Sequence, residues 1–422
     1  MRKILLFLGV GVGLLIVANQ AKSQSKSPFI YGDVKTVSGD TYTGIIKWGT
    51  SGSQLAEMYW VEMFNGNKST NDFLKFLSKK EIEELSGNEE GSSWLGLDLR
   101  TLNIWEDRYS RSNHQFDTRF GDIKSIEPNG RRSAKITLKN GVILEVKNAG
   151  TYEDIGTSIT VVDYELGDVK LSWDRLEKVD FKEAPAGIFP KEGKPIIAKV
   201  NAGRKGTFTG LIQWDSDERF SNEIINGSDR NGKREIPLRS IRSIAKRGNG
   251  VDIVLNSGRE LYLSGSNDVN SGNRGTIVHA PEIGYIKIPW RDFYDMEIIE
   301  DDRFIMSYND FPTSKGLTGT VVTVDGEEHE GLLAYDLDEA WEFEILNAND
   351  DNVEFEIPFR NIKSIVPKNY NYSMVFLKNG ESLLLGGSRD VSDNNDGVLV
   401  FTSNTNDPVF IKWSQIDEVI FD

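Results

Sequence analysis

Pairs of acidic residues that follow predicted strands are the side chains best suited to chemistry in this sequence. "WDSDE" supplies Asp215 and Asp217, and "YDLDE" supplies Asp336 and Asp338. Calcium ions prefer several oxygen ligands, and closely spaced carboxylates supply them. These pairs therefore predict calcium binding as one use of the loops.

Two longer polar loops carry the remaining candidate ligands for calcium. "SGSNDVNSGNRG" contains Asp268, and "GGSRDVSDNNDG" contains Asp390 and Asp393. No loop has EF-hand spacing, and Asp, Asn and Gly are also the residues that tight turns favour. An ungapped alignment places Thr151 opposite Asp268, so one copy would lack this carboxylate. We therefore interpret the loops as structural turns and keep calcium binding as the alternative.

Three of the nine tryptophans occupy positions that do not recur along the chain: Trp60, Trp94 and Trp105. Aromatic rings provide large contact areas for a protein or glycan partner. The alternative is that they cover an inserted helix, which needs an apolar surface to pack against. We consider these three residues the candidate partner-binding side chains.

The sequence gives little support for catalysis. It has no cysteine, which excludes thiol chemistry, and its histidines His114, His279 and His329 lie in unrelated contexts. The 65 acidic residues form too many carboxylate pairs to identify one for hydrolysis. We expect a non-enzymatic protein, with an exported hydrolase of glycans or peptides as the alternative.

Matched segments recur three times. "WDRLEKVDF", "WRDFYDMEI" and "WSQIDEVIF" share an apolar pattern after tryptophan, and "LKNGVILEV", "LNSGRELYL" and "LKNGESLLL" match upstream. Such self-similarity predicts tandem repeats. Their predicted bounds are 28–182, 195–300 and 315–422.

Each predicted repeat divides into two halves with the same order of elements: a hairpin, two further strands, one helical turn and a short fifth strand. The halves cover 28–127 and 132–182, 195–246 and 250–300, and 315–367 and 372–422. This order resembles the SH3-like and Sm-like small β-barrels. The resemblance implies an all-β chain of paired barrels, and β-propeller or β-sandwich repeats are the alternatives.

The first repeat contains an insertion at about 67–117. Within it, "SKKEIEEL" places Ser78 and Glu81 at the spacing of a capping box, which predicts the start of a helix. We expect this helix to lie against the first barrel.

The first residues have the pattern of a secretory signal peptide. Arg2 and Lys3 precede an apolar run, and small residues follow at cleavage spacing, which predicts a signal peptide at 1–23. We expect an exported protein, periplasmic, secreted or at the cell surface, with no membrane segment after cleavage. The formal net charge of −16 disfavours binding to nucleic acid or anionic lipid.

Together these patterns predict an exported, non-enzymatic β-repeat protein that binds or scaffolds a protein or glycan partner. A calcium-stabilised adhesion protein is a further alternative, for which calcium would be the only cofactor.

Overall fold

The computed structural model describes residues 26–49, 56–68, 73–85, 115–148, 154–402 and 408–422. The predicted signal peptide lies outside these residues. The described chain is all-β, as expected, with two large antiparallel sheets of ten and twenty strands. Among the described residues, none of the helices has the length and apolar character needed to cross a bilayer.

We divide the strands into three consecutive units for description. The N-terminal unit contains β1 (Tyr31–Thr36), β2 (Thr41–Trp48), β3 (Met63–Lys68), β4 (Gln115–Arg119), β5 (Ile123–Pro128), β6 (Ser133–Leu138), β7 (Ile143–Lys147), β8 (Ile159–Asp163), β9 (Gly167–Leu171) and β10 (Leu176–Phe181). The middle unit contains β11 (Ile197–Asn201), β12 (Thr207–Gln213), β13 (Ile224–Asp229), β14 (Gly232–Pro237), β15 (Ile241–Arg247), β16 (Gly250–Leu255), β17 (Glu260–Ser264), β18 (Thr276–Ala280), β19 (Gly284–Ile288) and β20 (Asp295–Ile299). The C-terminal unit contains β21 (Thr318–Thr323), β22 (Glu328–Tyr335), β23 (Ile345–Asp350), β24 (Val353–Pro358), β25 (Ile362–Asn369), β26 (Tyr372–Leu377), β27 (Ser382–Gly386), β28 (Val398–Phe401), β29 (Val409–Ile411) and β30 (Ile416–Phe421).

Helices are short. The one α-helix among the described residues is α1 (Lys79–Leu85). The 3₁₀ turns are Leu74–Phe76, Phe120–Asp122, Trp173–Arg175, Gly203–Lys205, Leu238–Ser240, Asn267–Val269, Asp302–Phe304, Tyr308–Asp310, Phe359–Asn361 and Trp413–Gln415. Five of them lead directly into β5, β10, β15, β25 and β30, where the sequence predicts one helical turn before a short strand.

Residue-level pairings follow the same pattern in all three units. In the N-terminal unit the strand order is β4-β3-β7-β6-β5-β10-β1-β2-β8-β9. The corresponding pairs recur in the middle unit, for example β12 with β18 and β15 with β20, and in the C-terminal unit, β22 with β28 and β25 with β30. Alternating burial supports these pairings, as in β6, where Ala134, Ile136 and Leu138 face the core.

The expectation of closed small barrels, one for each half, differs from the structure, in which neither sheet closes into a barrel. Each half pairs with a hairpin of the other half: in the N-terminal unit, β2 of the β1–β2 hairpin lies beside β8, and β7 of the β6–β7 hairpin lies beside β3. The two halves are therefore interleaved. The physical reason is that local hairpin signals are alike in both halves and do not specify which distant strand completes each hairpin.

The units pack against one another through continuous cores. One hydrophobic cluster spans the middle and C-terminal units, where β19 also pairs with β24. A second cluster fills the N-terminal unit and includes Phe220 and Phe343 from the other two units. Each unit therefore contacts both of the others.

The inserted helix forms where the capping box predicts it, but it packs elsewhere than expected. Glu81 accepts the Ser78 N–H at 2.6 Å, and the Glu81 N–H donates to Ser78 Oγ at 3.3 Å. Leu77, just before the helix, is buried with Ala334 and Leu399 of the C-terminal unit. The helix does not lie against the first barrel because the apolar surface available to it is on β22 and β28.

Interleaving predicts which engineered disulfides form in this cysteine-free chain. Lys47 of β2 lies directly opposite Thr160 of β8, so K47C/T160C should oxidise readily, because opposed residues have Cβ atoms about 5 Å apart. The matched control K47C/N65C joins β2 to β3, as a barrel closed within one half would require, and should stay reduced. Thiol titration and peptide mapping distinguish the two; a disulfide in the control alone would contradict the pairing.

Candidate functional site

An aromatic residue at the end of the second strand, or directly after it in the middle unit, anchors the polar loop after the seventh strand of each unit. The Trp48 indole N–H donates to the Asp154 carbonyl at 3.1 Å, and that of Trp214 donates to the Asp268 carbonyl at 2.9 Å. In the C-terminal unit, the Tyr335 hydroxyl donates to the carbonyl of Asp390 at 2.5 Å. All three aromatic rings are fully buried.

The carboxylates of the same three aspartates hold the third strand of each unit. Asp154 accepts the Asn65 N–H at 2.7 Å, and Asp268 accepts that of Asn226 at 2.7 Å. Asp390 makes the same bond to Asn347 at 2.6 Å. The counterpart of Asp268 in the N-terminal unit is therefore Asp154. The ungapped alignment with Thr151, which lies outside the described residues, was wrong because the aspartate lies later in the loop after β7 than in the loop of equal length after β17.

The acidic turns after the second strand are tight turns held by arginine. Asp215 and Ser216 have positive φ angles of 50° and 62°, as in a two-residue turn of type I′. Asp215 accepts the Arg274 backbone N–H at 2.5 Å, and the Arg274 guanidinium contacts the carboxylates of both Asp215 and Asp217. In the C-terminal unit, Arg389 pairs with Asp336 at 2.6 Å.

The structure brings the predicted calcium ligands together in two separate groups. Asp215, Asp217 and Glu218 have carboxylate oxygens within 4.8 Å of one another. Burial, followed by Asp217 and then Asp268, raises the pKa of Glu218 to about 10. Asp336, Asp338 and Asp390 adjoin one another in the C-terminal unit, whereas Asp393 is exposed. Arg274 and Arg389 supply positive charge to the carboxylates of these turns. The acidic turns therefore do not need a metal ion to balance their negative charge. Calcium binding stays a prediction.

A glutamate that sequence reasoning did not identify closes a loop in every unit. Glu62 accepts the backbone N–H groups of Met58 and Tyr59 at 2.5 and 2.8 Å through one oxygen. Glu223 and Glu344 make the corresponding pairs of bonds, three and four residues back along the chain. The signal was present in the sequence, because glutamate recurs in "EMYWVE", "ERFSNE" and "EAWEFE".

The other oxygen of Glu62 binds the middle unit. It accepts a bond from the Arg219 guanidinium at 2.7 Å and another from the Gln213 amide at 2.7 Å. Arg219 is 2% exposed and also donates to the Ala56 carbonyl. The neighbouring His279 is buried, which lowers its pKa to about 4, so this histidine is neutral at physiological pH.

Glu344 plays the corresponding part between the C-terminal and N-terminal units. The Lys68 ammonium lies 2.6 Å from Glu344 and 3.1 Å from Asp338, at the end of β3. Burial opposes the charge on Lys68, but the two carboxylates outweigh it and raise the pKa of this lysine. We call Lys68, Asp117, Asp338, Glu344, Glu356 and Asp390 the acidic junction.

Negative charge exceeds positive charge in the acidic junction, so several of its carboxyl groups hold protons tightly. Burial, followed by Asp390 and Asp338, raises the pKa of Asp117 to about 7. Burial and Asp117 raise the pKa of Glu356 to about 8. These carboxyl groups favour the neutral form in the folded protein.

A second buried charge cluster also joins the N-terminal and C-terminal units. Arg360 lies 2.7 Å from Asp122, which is fully buried and also contacts Arg119 at 3.3 Å. Nearby, the Lys139 ammonium donates to the carbonyls of Tyr308 and Phe311, fixing the segment between the middle and C-terminal units.

The predicted partner-binding tryptophans have different positions. Trp60 is fully buried, its ring 4.7 Å from that of Tyr308 and 5.7 Å from that of Phe181, so it forms part of the core. Trp94 and Trp105 lie outside the described residues, and their contact role stays a prediction.

A cleft of about 310 Å³ lies between the middle and C-terminal units. Its wall includes Phe208, Pro281 and Phe304, with Glu282 and Glu381 as its acidic members.

Comparisons of the chain with protein-family models, curated proteins and solved structures gave no match.

Breaking the buried pair between the N-terminal and middle units should destabilise the protein strongly. R219M leaves the Glu62 carboxylate buried without its counter-charge, which we expect to cost about 3–5 kcal/mol of unfolding free energy. The double variant E62Q/R219M removes both charges and should be more stable than R219M in urea unfolding. K35A, at the exposed pair Lys35–Glu177, should change stability by less than about 1 kcal/mol; equal losses in R219M and K35A would contradict this role.

The acidic junction should make the protein less stable as the pH rises. Folding holds protons on Asp117 and Glu356 that the unfolded chain releases above about pH 4, so stability falls between about pH 4 and pH 8, by up to about 1.4 kcal/mol per pH unit for each proton. D117N should therefore raise the melting temperature at pH 8 and change it little at pH 4. The exposed control D325N should have no such pH-dependent effect, and an equal effect of D117N at both pH values would be inconsistent with the raised pKa.

Proposed function

We propose that this chain is an exported, non-enzymatic β-repeat protein that serves as a rigid scaffold and binds a protein or glycan partner. The observation that carries the proposal is the use of buried charges as contacts between units. Glu62 with Arg219, Glu344 with Lys68 and Asp122 with Arg360 each join two different units. Such fixed junctions suit a protein whose task is to present surfaces in a set arrangement.

We also propose that the three units are tandem repeats, each built from two halves related to SH3-like or Sm-like strands. The recurring pairings support this, as do the aspartates Asp154, Asp268 and Asp390, which bond in the same way. In this interpretation, five strands that are neighbours in the sheet correspond to one small barrel, but two of them, a hairpin, come from the other half. In the N-terminal unit, for example, β6 and β7 join β3, β4 and β5.

The partner would bind the segment inserted between β3 and β4. This segment begins beside Lys68 in the acidic junction, and its helix lies on β22 and β28. It also carries Trp94 and Trp105, the other two tryptophans at non-recurring positions. Its placement at a junction of two units would give the partner contacts with both.

Replacing residues 86–114 with a short Gly/Ser linker should leave a folded protein that no longer captures its partner. The expected result is an unchanged melting temperature together with loss of binding in pull-downs and on a glycan array. W94A/W105A should weaken the same interactions because it removes two large contact rings.

The matched control is Y370A, which removes a ring that is 77% exposed but distant in sequence from the insertion. Its binding should equal that of the unmodified protein. Retention of every interaction by the deletion variant would contradict the proposal. Substrate turnover by the purified chain that disappears in E282Q or E381Q would instead favour a hydrolase acting at the cleft.

A further inference from the structure

The outer edge of β9 has a different environment from the equivalent edges in the other units. In the middle unit, the equivalent strand β19 pairs with β24 of the C-terminal unit. In the C-terminal unit, Phe410 of β29 packs in the cluster of the inserted helical segment. Among the described residues, β9 pairs with β8 alone and ends the ten-stranded sheet.

Unpaired N–H and C=O groups on such an edge are available for another strand. The residues beside it are unusually exposed for their type: Tyr164 is 99% exposed and Leu166 is 66% exposed. Within the strand, Val169 packs partly against the core, while Asp168 and Lys170 point to the opposite, solvated face. A partner strand would therefore meet an apolar position between two charged ones.

The edge strand of the middle unit, β14, is a poor partner for β9. If β9 and β14 paired in the register that β19 and β24 use, Asp168 would lie opposite Glu235, and Lys170 opposite Lys233. Like charges directly opposite each other destabilise a strand pair. This accounts for the absence of that pair between the N-terminal and middle units and makes it unfavourable between molecules.

A second copy of β9 fits the same edge. In an antiparallel pair centred on Val169, each Asp168 lies opposite Lys170 of the other copy, so both charge pairs are attractive. Val169 meets Val169 on the core-facing side, and Leu166 lies opposite Ser172 of the other copy. Such a pair has twofold symmetry, the commonest symmetry of protein dimers.

We propose that β9 is a homodimerisation edge, through which two chains join their ten-stranded sheets into one continuous antiparallel sheet. The competing contact is weak, because Asp168 lies 3.7 Å from Lys191, whose side chain is 77% exposed. A five-residue strand pair is small, so the dimer should dissociate on dilution. The interface is distinct from the proposed partner contact in the insertion.

Charge reversal tests the partner and the register together, using sedimentation equilibrium over a range of concentrations. The unmodified chain should form dimers at high concentration. D168K places lysines opposite each other and K170D places aspartates opposite each other, so each variant should raise the dissociation constant about tenfold or more. An equimolar mixture of the two variants restores both attractive pairs and should form heterodimers, and the double variant D168K/K170D should dimerise again.

The control is K233D on β14, which makes the same change of charge at another exposed edge and should leave dimerisation unchanged. Circular dichroism should show that all variants are folded, since the substituted side chains are exposed. The proposal is overturned if the unmodified chain is monomeric at every concentration, or if D168K and K170D dimerise as well as it does. A mixture that remains monomeric would overturn the proposed register.

Discussion

The pairing of the second strand of each unit with the eighth is the interaction on which the remaining architecture depends. In the N-terminal unit β2 pairs with β8 and β3 pairs with β7, so each half needs strands of the other half to complete its part of the sheet. The loop aspartates then link strands of the two halves through hydrogen bonds. Asp154 follows β7, its carboxylate accepts a backbone N–H of β3, and its carbonyl accepts the indole N–H of Trp48 from β2. One buried residue thus ties together strands from both halves.

Buried charged side chains are the second organising element, because they join the units instead of lying at the solvent-exposed surface. The glutamates that close the loop before the third strand each satisfy two backbone N–H groups, and Glu62 and Glu344 then contact a neighbouring unit. Ion pairs of this kind contribute little net stability but are costly to break on one side. They therefore favour one arrangement of units over others. The same junction buries more carboxyl groups than cations, and burial together with Asp390 and Asp338 raises the pKa of Asp117.

Local features were predictable from the sequence, while long-range ones were not. The all-β class, the helical turn before strands such as β10 and β30, and the capping box of Ser78 and Glu81 rest on neighbouring residues and were found as predicted. The interleaved pairing joins strands that lie far apart in the sequence, such as β2 and β8, for which alternating patterns are equally compatible with several partners. The helix position depended on an apolar surface of another unit. The equivalence of Asp154 to Asp268 was hidden because the two aspartates occupy different positions in loops of equal length, and the bond to Asn65 reveals it.

Interleaving also governs when the chain can acquire its structure. In the N-terminal unit Val34 of β1 pairs with Val179 of β10, the last strand of the unit. The first strand therefore cannot pair on both of its edges until the last strand has formed. Contacts of such large sequence separation slow folding, because loop closure precedes any gain from pairing. During synthesis from the N-terminus, a unit could not complete its strand pairing until all ten of its strands were available. The chain would therefore stay unfolded for longer than one whose halves fold separately. For the same reason, we expect each unit to lose its structure as a whole, rather than half by half.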